Sequence, residues 1–381
     1  MRTPPRRAAA LLLAAFSLAA ASGREDTARL AARLMAARAK MLLSAAESQS
    51  IQAALLEWID ARMKAGDTVQ SMNRELSAAG LLATWPDTLD QMLLKHAGYL
   101  EGIKSKPVQG AGDVLALEAG VYQGPGCSKD VTAVLYQRKP ALRLGYLNAE
   151  PGNPKWAYYL SGLAVGERDS SGQRLVASGW VISNCTSTWN GKRIRIDRVG
   201  GASPENLLAR DLDAQDREGQ DSVSAWVRPD GVTFWYRGGL GDPLLMVAPA
   251  VVRYRIVGGQ AERAAPAALT RAGFIREWLS MTDGEAAGWS DPDAAEAHKS
   301  IHFPTSAGPV DWLGAAECGG RAPAWEVAVK VDELKKEFVF RIAGDRATEL
   351  RMLAVGSGYT DGCTPVDIFK DPGSLSGELP W

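Results

Sequence analysis

From residue 26 to residue 101 the apolar positions recur at the helical period. Leu30, Leu34, Ala37 and Met41 form one stripe, and Ile51, Ala54, Leu55, Trp58, Ile59 and Met63 form a cleaner one. Gly66 suits the end of the second helix, because glycine tolerates the left-handed backbone of a C-terminal cap. Asp67 or Thr68 can cap the helix that follows. That third helix carries Val69, Met72 and Leu76 and stops at Gly80. A fourth, starting near Asp87, carries Leu89, Met92, Leu93, His96 and Leu100. Four amphipathic helices in succession predict a small bundle or a helical platform for the next domain.

Residues 104–113, with Pro107, Gly110 and Gly112, read as a linker. Beyond them the texture changes to short β-rich runs divided by Gly, Pro, Asn and Asp. Strands are expected at residues 132–137, 142–147, 156–165, 174–182, 193–197, 223–228, 232–236 and 251–257. Pro229-Asp230-Gly231 supplies the turn chemistry for a hairpin, and the charged stretch 200–221 reads as an exposed loop. A second seam falls at 258–266. A helix over 269–281 then places Phe274, Trp278 and Leu279 on one face, and more helix or turn reaches His302. Strands return at 325–331, 337–343 and 349–355, with Lys335-Lys336 at a hairpin tip.

The expected fold class is α+β. It comprises an N-terminal helical segment (23–106), a central antiparallel β-rich domain of sandwich or barrel-like form (107–260), and a C-terminal α+β domain with a small antiparallel sheet (261–381). Residues 1–22 read as a signal peptide. Arg2, Arg6 and Arg7 form a cationic start, residues 8–21 are apolar and uncharged, and Ala19-Ala20-Ala21 suits cleavage. That run is short of the roughly 20 residues a membrane helix needs, and no later stretch reaches such a length, so no integral membrane span is expected. The first cysteine is Cys127, so no lipid anchor follows the cleavage site. Arg6-Arg7 raises the twin-arginine route, but Ala9 and Ala10 favour the general secretory one. The expected location is periplasmic or secreted.

Losing three arginines with the signal takes the formal net charge from −1 to −4, which argues against nucleic acid as a partner. The four cysteines, Cys127, Cys185, Cys318 and Cys363, allow three pairings in an oxidising compartment. Cys127–Cys185 with Cys318–Cys363 closes each bond inside one expected domain. There is no Cys-x-x-Cys, so structural disulfides are expected over a redox or metal site. Both halves also bring a cysteine after a Gly-containing approach and a later Cys-Thr pair (Cys185-Thr186, Cys363-Thr364), a pattern that either duplication or chance can produce.

Motif chemistry is sparse. His298 and His302 stand at i and i+4, so a helix would offer both to zinc or copper from one face. Lys299 occupies the place of the glutamate in the zinc-hydrolase pattern, and a solvated acidic helix carrying two histidines is the plainer reading. His96 sits on an apolar helical face and reads as a core residue. No Gly-x-Ser-x-Gly or Ser-x-x-Lys is present; Ser357 sits in a glycine-rich turn, and Gly238–Asp242 is a turn with no phosphate-loop helix behind it. Carboxylate pairs for glycoside hydrolysis need only separation in space and cannot be picked from 44 acidic residues. Five of the twelve tryptophans, Trp156, Trp180, Trp189, Trp226 and Trp235, fall in the β-rich middle. Most sit in hydrophobic runs and read as core, whereas Trp189 has polar neighbours that suit exposure and stacking on a sugar.

These features predict an exported, non-catalytic envelope protein that acts by binding or structural association. Its partner would be a protein or cell-envelope component, and no cofactor is expected. Two alternatives stand beside it: a periplasmic hydrolase, metal-dependent through His298 and His302, and carbohydrate or peptidoglycan binding through the β-domain tryptophans.

Overall fold

The computed structural model describes residues 25–40, 42–83, 97–124, 129–138, 141–149, 157–183, 189–217, 223–229, 231–238, 248–265, 271–279, 281–301, 310–319, 324–331, 336–344 and 349–366. The signal segment, residues 84–96 of the fourth expected helix with His96, and Cys127, Trp156, Cys185 and His302 lie outside them; Leu100, expected on that helix, instead opens a strand. The chain forms two compact units. The first takes in residues up to 176 with 182–188 and 197–206, and the second takes in 177–181, 189–196 and everything from 207 onward.

The first unit opens with helix α1 (25–38), then α2 (Ala45–Ala65) and α3 (Val69–Ala78). Ser44 and Glu47 close a capping box on α2, Gly66 ends it at φ +81°, and Thr68 with Ser71 caps α3. Strands β1 (Leu100–Lys106), β2 (Gln109–Gly110), β3 (Val114–Tyr122), β4 (Lys129–Gln137), β5 (Leu142–Asn148), β6 (Ala157–Arg168), β7 (Arg174–Ser183), β8 (Trp189–Val199) and β9 (Glu205–Arg217) make a nine-stranded sheet, of which residues 177–181, 189–196 and 207–217 are counted in the second unit. Its order is β1-β3-β4-β6-β7-β8-β9, with β5 on β4 and β2 parallel to β6. One face of β1, β3 and β4 carries Ile103, Leu117, Val121 and Val134 against Leu30, Leu34, Trp58, Ile59, Met72 and Leu76, all buried. Full burial of such a side chain stabilises by about 1.5–3 kcal/mol, so the helices are held mainly by this face.

A polar seam runs through the same contact. Ser48 and Gln52, one helical turn apart on α2, donate to Asp130 Oδ2 at 2.9 Å and Thr132 Oγ1 at 2.8 Å on β4. Asn148 Nδ2 reaches the other oxygen of Asp130 at 2.6 Å, and Gln123 Nε2 donates to Ser48 Oγ at 3.0 Å.

In the second unit β10 (Val223–Arg228), β11 (Gly231–Gly238), β12 (Ala248–Val257) and β13 (Gln260–Ala265) form an antiparallel meander. Helices α4 (Arg271–Leu279), α5 (Asp283–Gly288) and α6 (Pro292–Ser300) follow. A second sheet has the order β17-β16-β15-β14-β18, from β14 (Val310–Cys318), β15 (Ala324–Val331), β16 (Lys336–Ala343), β17 (Arg351–Gly356) and β18 (Cys363–Val366). Phe274, Ile275 and Trp278 of α4 pack on Val327, Val329, Phe340 and Ile342 of that sheet. Cys318 and Cys363 stand directly opposite each other on β14 and β18, with Cα atoms 4.2 Å apart, and are bonded.

The chain is thus mostly β, with several antiparallel sheets and a few helices. Three further sequence readings are corrected. The expected linker at 104–113 carries the end of β1 and all of β2. Its glycines and proline mark the interruption between two pairing segments. The charged stretch 200–221 contains β9, whose charges are matched from β8: Arg193 Nε reaches Asp211 at 2.5 Å and Arg198 Nη1 reaches Glu205 at 2.6 Å. The seam at 258–266 is the β12–β13 hairpin. Gly258 and Gly259, at φ +58° and +84°, form its two-residue turn, and Val257 pairs with Gln260.

Candidate functional site

Two clusters of buried charge stand out, one in each unit. In the first, Lys129 at the start of β4 lies on the sheet face away from the helices, its side chain 4 % exposed. Its Nζ donates to Glu101 Oε2 at 2.5 Å and sits 4.2 Å from the Tyr159 ring centre. Lys104 meets the other oxygen of Glu101 at 2.6 Å, and Lys106 lies 3.0 Å from Glu118. Gly120 creates the space: a Cβ there would stand 2.8 Å from Lys129 Cδ and 3.0 Å from Glu101 Oε2. Burial pulls the Lys129 pKa below the ordinary amine value, against the opposing effect of Glu101. Burial pushes Glu101 upward, but Lys129 and Lys104 outweigh it and leave the carboxyl below its ordinary value. Burial, with the nearby Glu101 charge, raises the Tyr122 phenol to about 12. This cluster sets three lysines against two glutamates, and Glu118 Oε2, 3.0 Å from Lys106 Nζ, is its one buried atom without a hydrogen bond among those described.

The second cluster is not fully answered. Tyr254 on β12 and Arg263 on β13 are register partners, so both side chains leave the same face of the meander. Phe234 meets the Tyr254 ring edge-on from that face. The Arg263 side chain is 4 % exposed and Tyr254 is 1 % exposed. The closest carboxylate to Arg263 is Glu277 of α4, 3.7 Å from Nε and too far for a hydrogen bond. Arg263 Nε, Arg263 Nη1 and Tyr254 Oη are all buried without a hydrogen-bond partner. Arg210 of β9 lies beside the Tyr254 hydroxyl and acts to lower its pKa. It reaches Glu285 at 3.3 and 3.4 Å, and both side chains are about a quarter exposed.

Glu285 is fixed by its own helix start, where Thr282 N donates to Oε2 at 2.9 Å. Burial raises its pKa, but the Thr282 amide, Arg263 and Arg210 outweigh that and hold it below the ordinary value. Burial opposes the charge of Arg263, yet Glu277, Tyr254, Glu285 and Tyr236 keep its pKa above the ordinary guanidinium value. Burial likewise raises Tyr254. At neutral pH Arg263 and Glu285 therefore stay ionised beside a neutral Tyr254 phenol.

The residues expected from sequence fall elsewhere. His298 is buried on α6, with Nδ1 2.7 Å from Asp283 Oδ1 and Nε2 3.0 Å from the Trp278 carbonyl oxygen, its ring edge-on to Trp278. Both nitrogens are engaged within the fold, and His302 lies outside the described residues. Trp180 is fully buried and donates to Ser178 at 2.9 Å. Trp226 and Trp235 are half-buried and lie diagonally on the meander face opposite Phe234 and Tyr254. Only the backbone of Trp189, at the start of β8, is described. Among the described residues, Cys318, Cys363 and Glu326 are the one group with metal-ligating spacing, but the two sulfurs are bonded to each other. Arg263 and Tyr254 escaped the sequence reading because Arg263 lay in the supposed seam. Reading Gly258-Gly259 as a two-residue turn would have set Tyr254 opposite Arg263.

No family model and no curated protein matches the sequence. Among solved structures, the chain is similar to a mutant α-L-arabinanase of Cellvibrio cellulosa at 12 % identity and TM-score 0.21, covering 78 % of this chain and 86 % of that one. An exo-1,5-α-L-arabinanase from a bovine ruminal metagenomic library matches at 7 % identity and TM-score 0.18, over 48 % and 84 %. A bifunctional GH43-CE protein of Bacteroides eggerthii matches at 11 % identity and TM-score 0.19, over 74 % and 47 %. TM-scores of this size carry no argument about fold or activity.

Proposed function

We propose that this chain is an exported binding protein that holds a small polar ligand against Arg263 and Tyr254. The observation that supports this reading is the set of three buried polar atoms, on two register-paired residues, that the protein itself does not satisfy. Each such atom costs about 1–3 kcal/mol, and a ligand or water that supplies acceptors recovers much of it. Export is supported by the cationic start and apolar run of residues 2–21. Glu285, held ionised, is not poised as a general acid.

Incubating the mature protein with a small-molecule extract of cell envelopes, followed by rapid filtration and mass spectrometry of what is retained, tests the proposal. Wild type is expected to retain a defined molecule and Arg263→Met to lose it. Equal retention by folded wild type and Arg263→Met would place binding elsewhere.

A further inference from the structure

Among the described residues, the charges around Arg263 balance without a ligand. Arg263 and Arg210 face Glu277 and Glu285, and Tyr236 and Tyr254 beside them are phenols. A ligand bearing a net charge would bring an unmatched charge into a place where the anchoring side chain is 4 % exposed. Burying an unmatched charge is far costlier than burying a neutral polar group.

The atoms left without partners are two N–H donors and one hydroxyl. Nε–H and the Nη1 amino group of a guanidinium point in different directions, so they call for separate acceptors. An acceptor that also carries a proton can donate it to the carboxylate of Glu277 or Glu285, both nearby. A hydroxyl group does both with one atom, and a polyol carries one on each of several neighbouring carbons. An amide offers a single acceptor oxygen. Arg210 and Glu285, each about a quarter exposed, are the charged members of the cluster that solvent reaches.

We infer that the ligand of this cluster is an uncharged, hydroxyl-rich molecule, a neutral sugar or polyol, anchored by Arg263 and Tyr254. The inference rests on the reading of these two residues as a binding site.

Calorimetric titration of the intact mature protein with glucose and trehalose (neutral), glucuronate and glucose 6-phosphate (anionic) and glucosamine (cationic) tests it. The neutral sugars are expected to bind. Tyr254→Phe should weaken them about three- to tenfold, the loss of one neutral hydrogen bond. Arg263→Met should weaken them about tenfold or more, since its bonds are charge-assisted. Tyr254→Phe also guards against misfolding as the cause. It removes only a hydroxyl that has no partner, so the free variant should melt at or above the wild-type temperature while binding less tightly. Binding of only the charged probes, still sensitive to Arg263→Met, would overturn the neutral ligand class and leave the site standing. If no probe binds, or if neutral sugars bind both folded variants as they bind wild type, the ligand class and the site fall together.

Discussion

Replacing Cys318 and Cys363 together by alanine is expected to lower the stability of the second unit by about 4 kcal/mol. The bond closes 45 residues of chain, and the chain-entropy model assigns a loop of that size this much stabilisation through the unfolded state. The two sulfurs join β18, a four-residue strand, to β14, which pairs with β15 along its other edge. Without the bond, β18 keeps four register pairs and little buried surface. Denaturant titration of wild type and the double variant measures the difference. Replacement isolates this bond better than reduction does, because a reductant would also act on any bond made by Cys127 and Cys185. A shift below about 1 kcal/mol would show that the unfolded chain gains little freedom when the link is removed.

The second large effect belongs to Lys129. Glu101→Gln is expected to destabilise the first unit by about 3 kcal/mol, because it leaves a nearly buried ammonium without its closest anion. The low end of the usual range applies, since Glu118 still contributes to holding the charge. Lys129→Met should cost much less: Glu101 keeps Lys104, Glu118 keeps Lys106, and the new side chain is apolar and of similar length. Combining the two changes should recover most of the loss caused by Glu101→Gln. Equal losses in all three variants would mean that packing, rather than charge, holds this face.

The pH dependence follows from the same groups. Glu101 has a lowered pKa, so its contribution is present above the ordinary 4.5 and lost as the pH falls below that value. Wild type should therefore weaken on acidification more than Glu101→Gln does. On the alkaline side, Tyr122 contributes stability that is present below pH 10 and lost as the pH rises to about 12. Lys129, with a lowered pKa, acts in the opposite sense, and stability rises as it deprotonates ahead of the unfolded chain. The acid limb is therefore the diagnostic one.

Much of the fold was legible where one face of an element is wet. The stripe Ile51, Leu55, Trp58 and Ile59, the caps at Gly66 and Thr68, and the hairpin around Pro229 all announce themselves because burial alternates with exposure. β3 did not. Its run Val114–Tyr122 is buried on both faces, so neither a twofold nor a helical period shows. β9 was hidden for the opposite reason: its charges look like loop until the arginines of β8 are set beside them. Both charge clusters depend on partners far apart in sequence, such as Glu101 with Lys129 or Arg263 with Glu277. Glu118 was the available signal, a lone charge inside an otherwise apolar strand. Spacing on a helix likewise says nothing about the partners that distant segments bring to a ring such as that of His298.

The polar seam between α2 and β4 works like a vernier scale. Four residues of helix rise about 6 Å and two residues of strand span about 6.7 Å, so Ser48 and Gln52 fall in step with Asp130 and Thr132. Sliding the helix by one residue would rotate it by about 100° and strip the buried Asp130 carboxylate of the Ser48 hydroxyl. An apolar interface alone tolerates such slippage, because one methyl group substitutes for another. Here there is a single permitted setting, so α2 has no shifted docked state in which to linger. Backbone amides of the helix and of β4 should consequently exchange their hydrogens in one shared opening event.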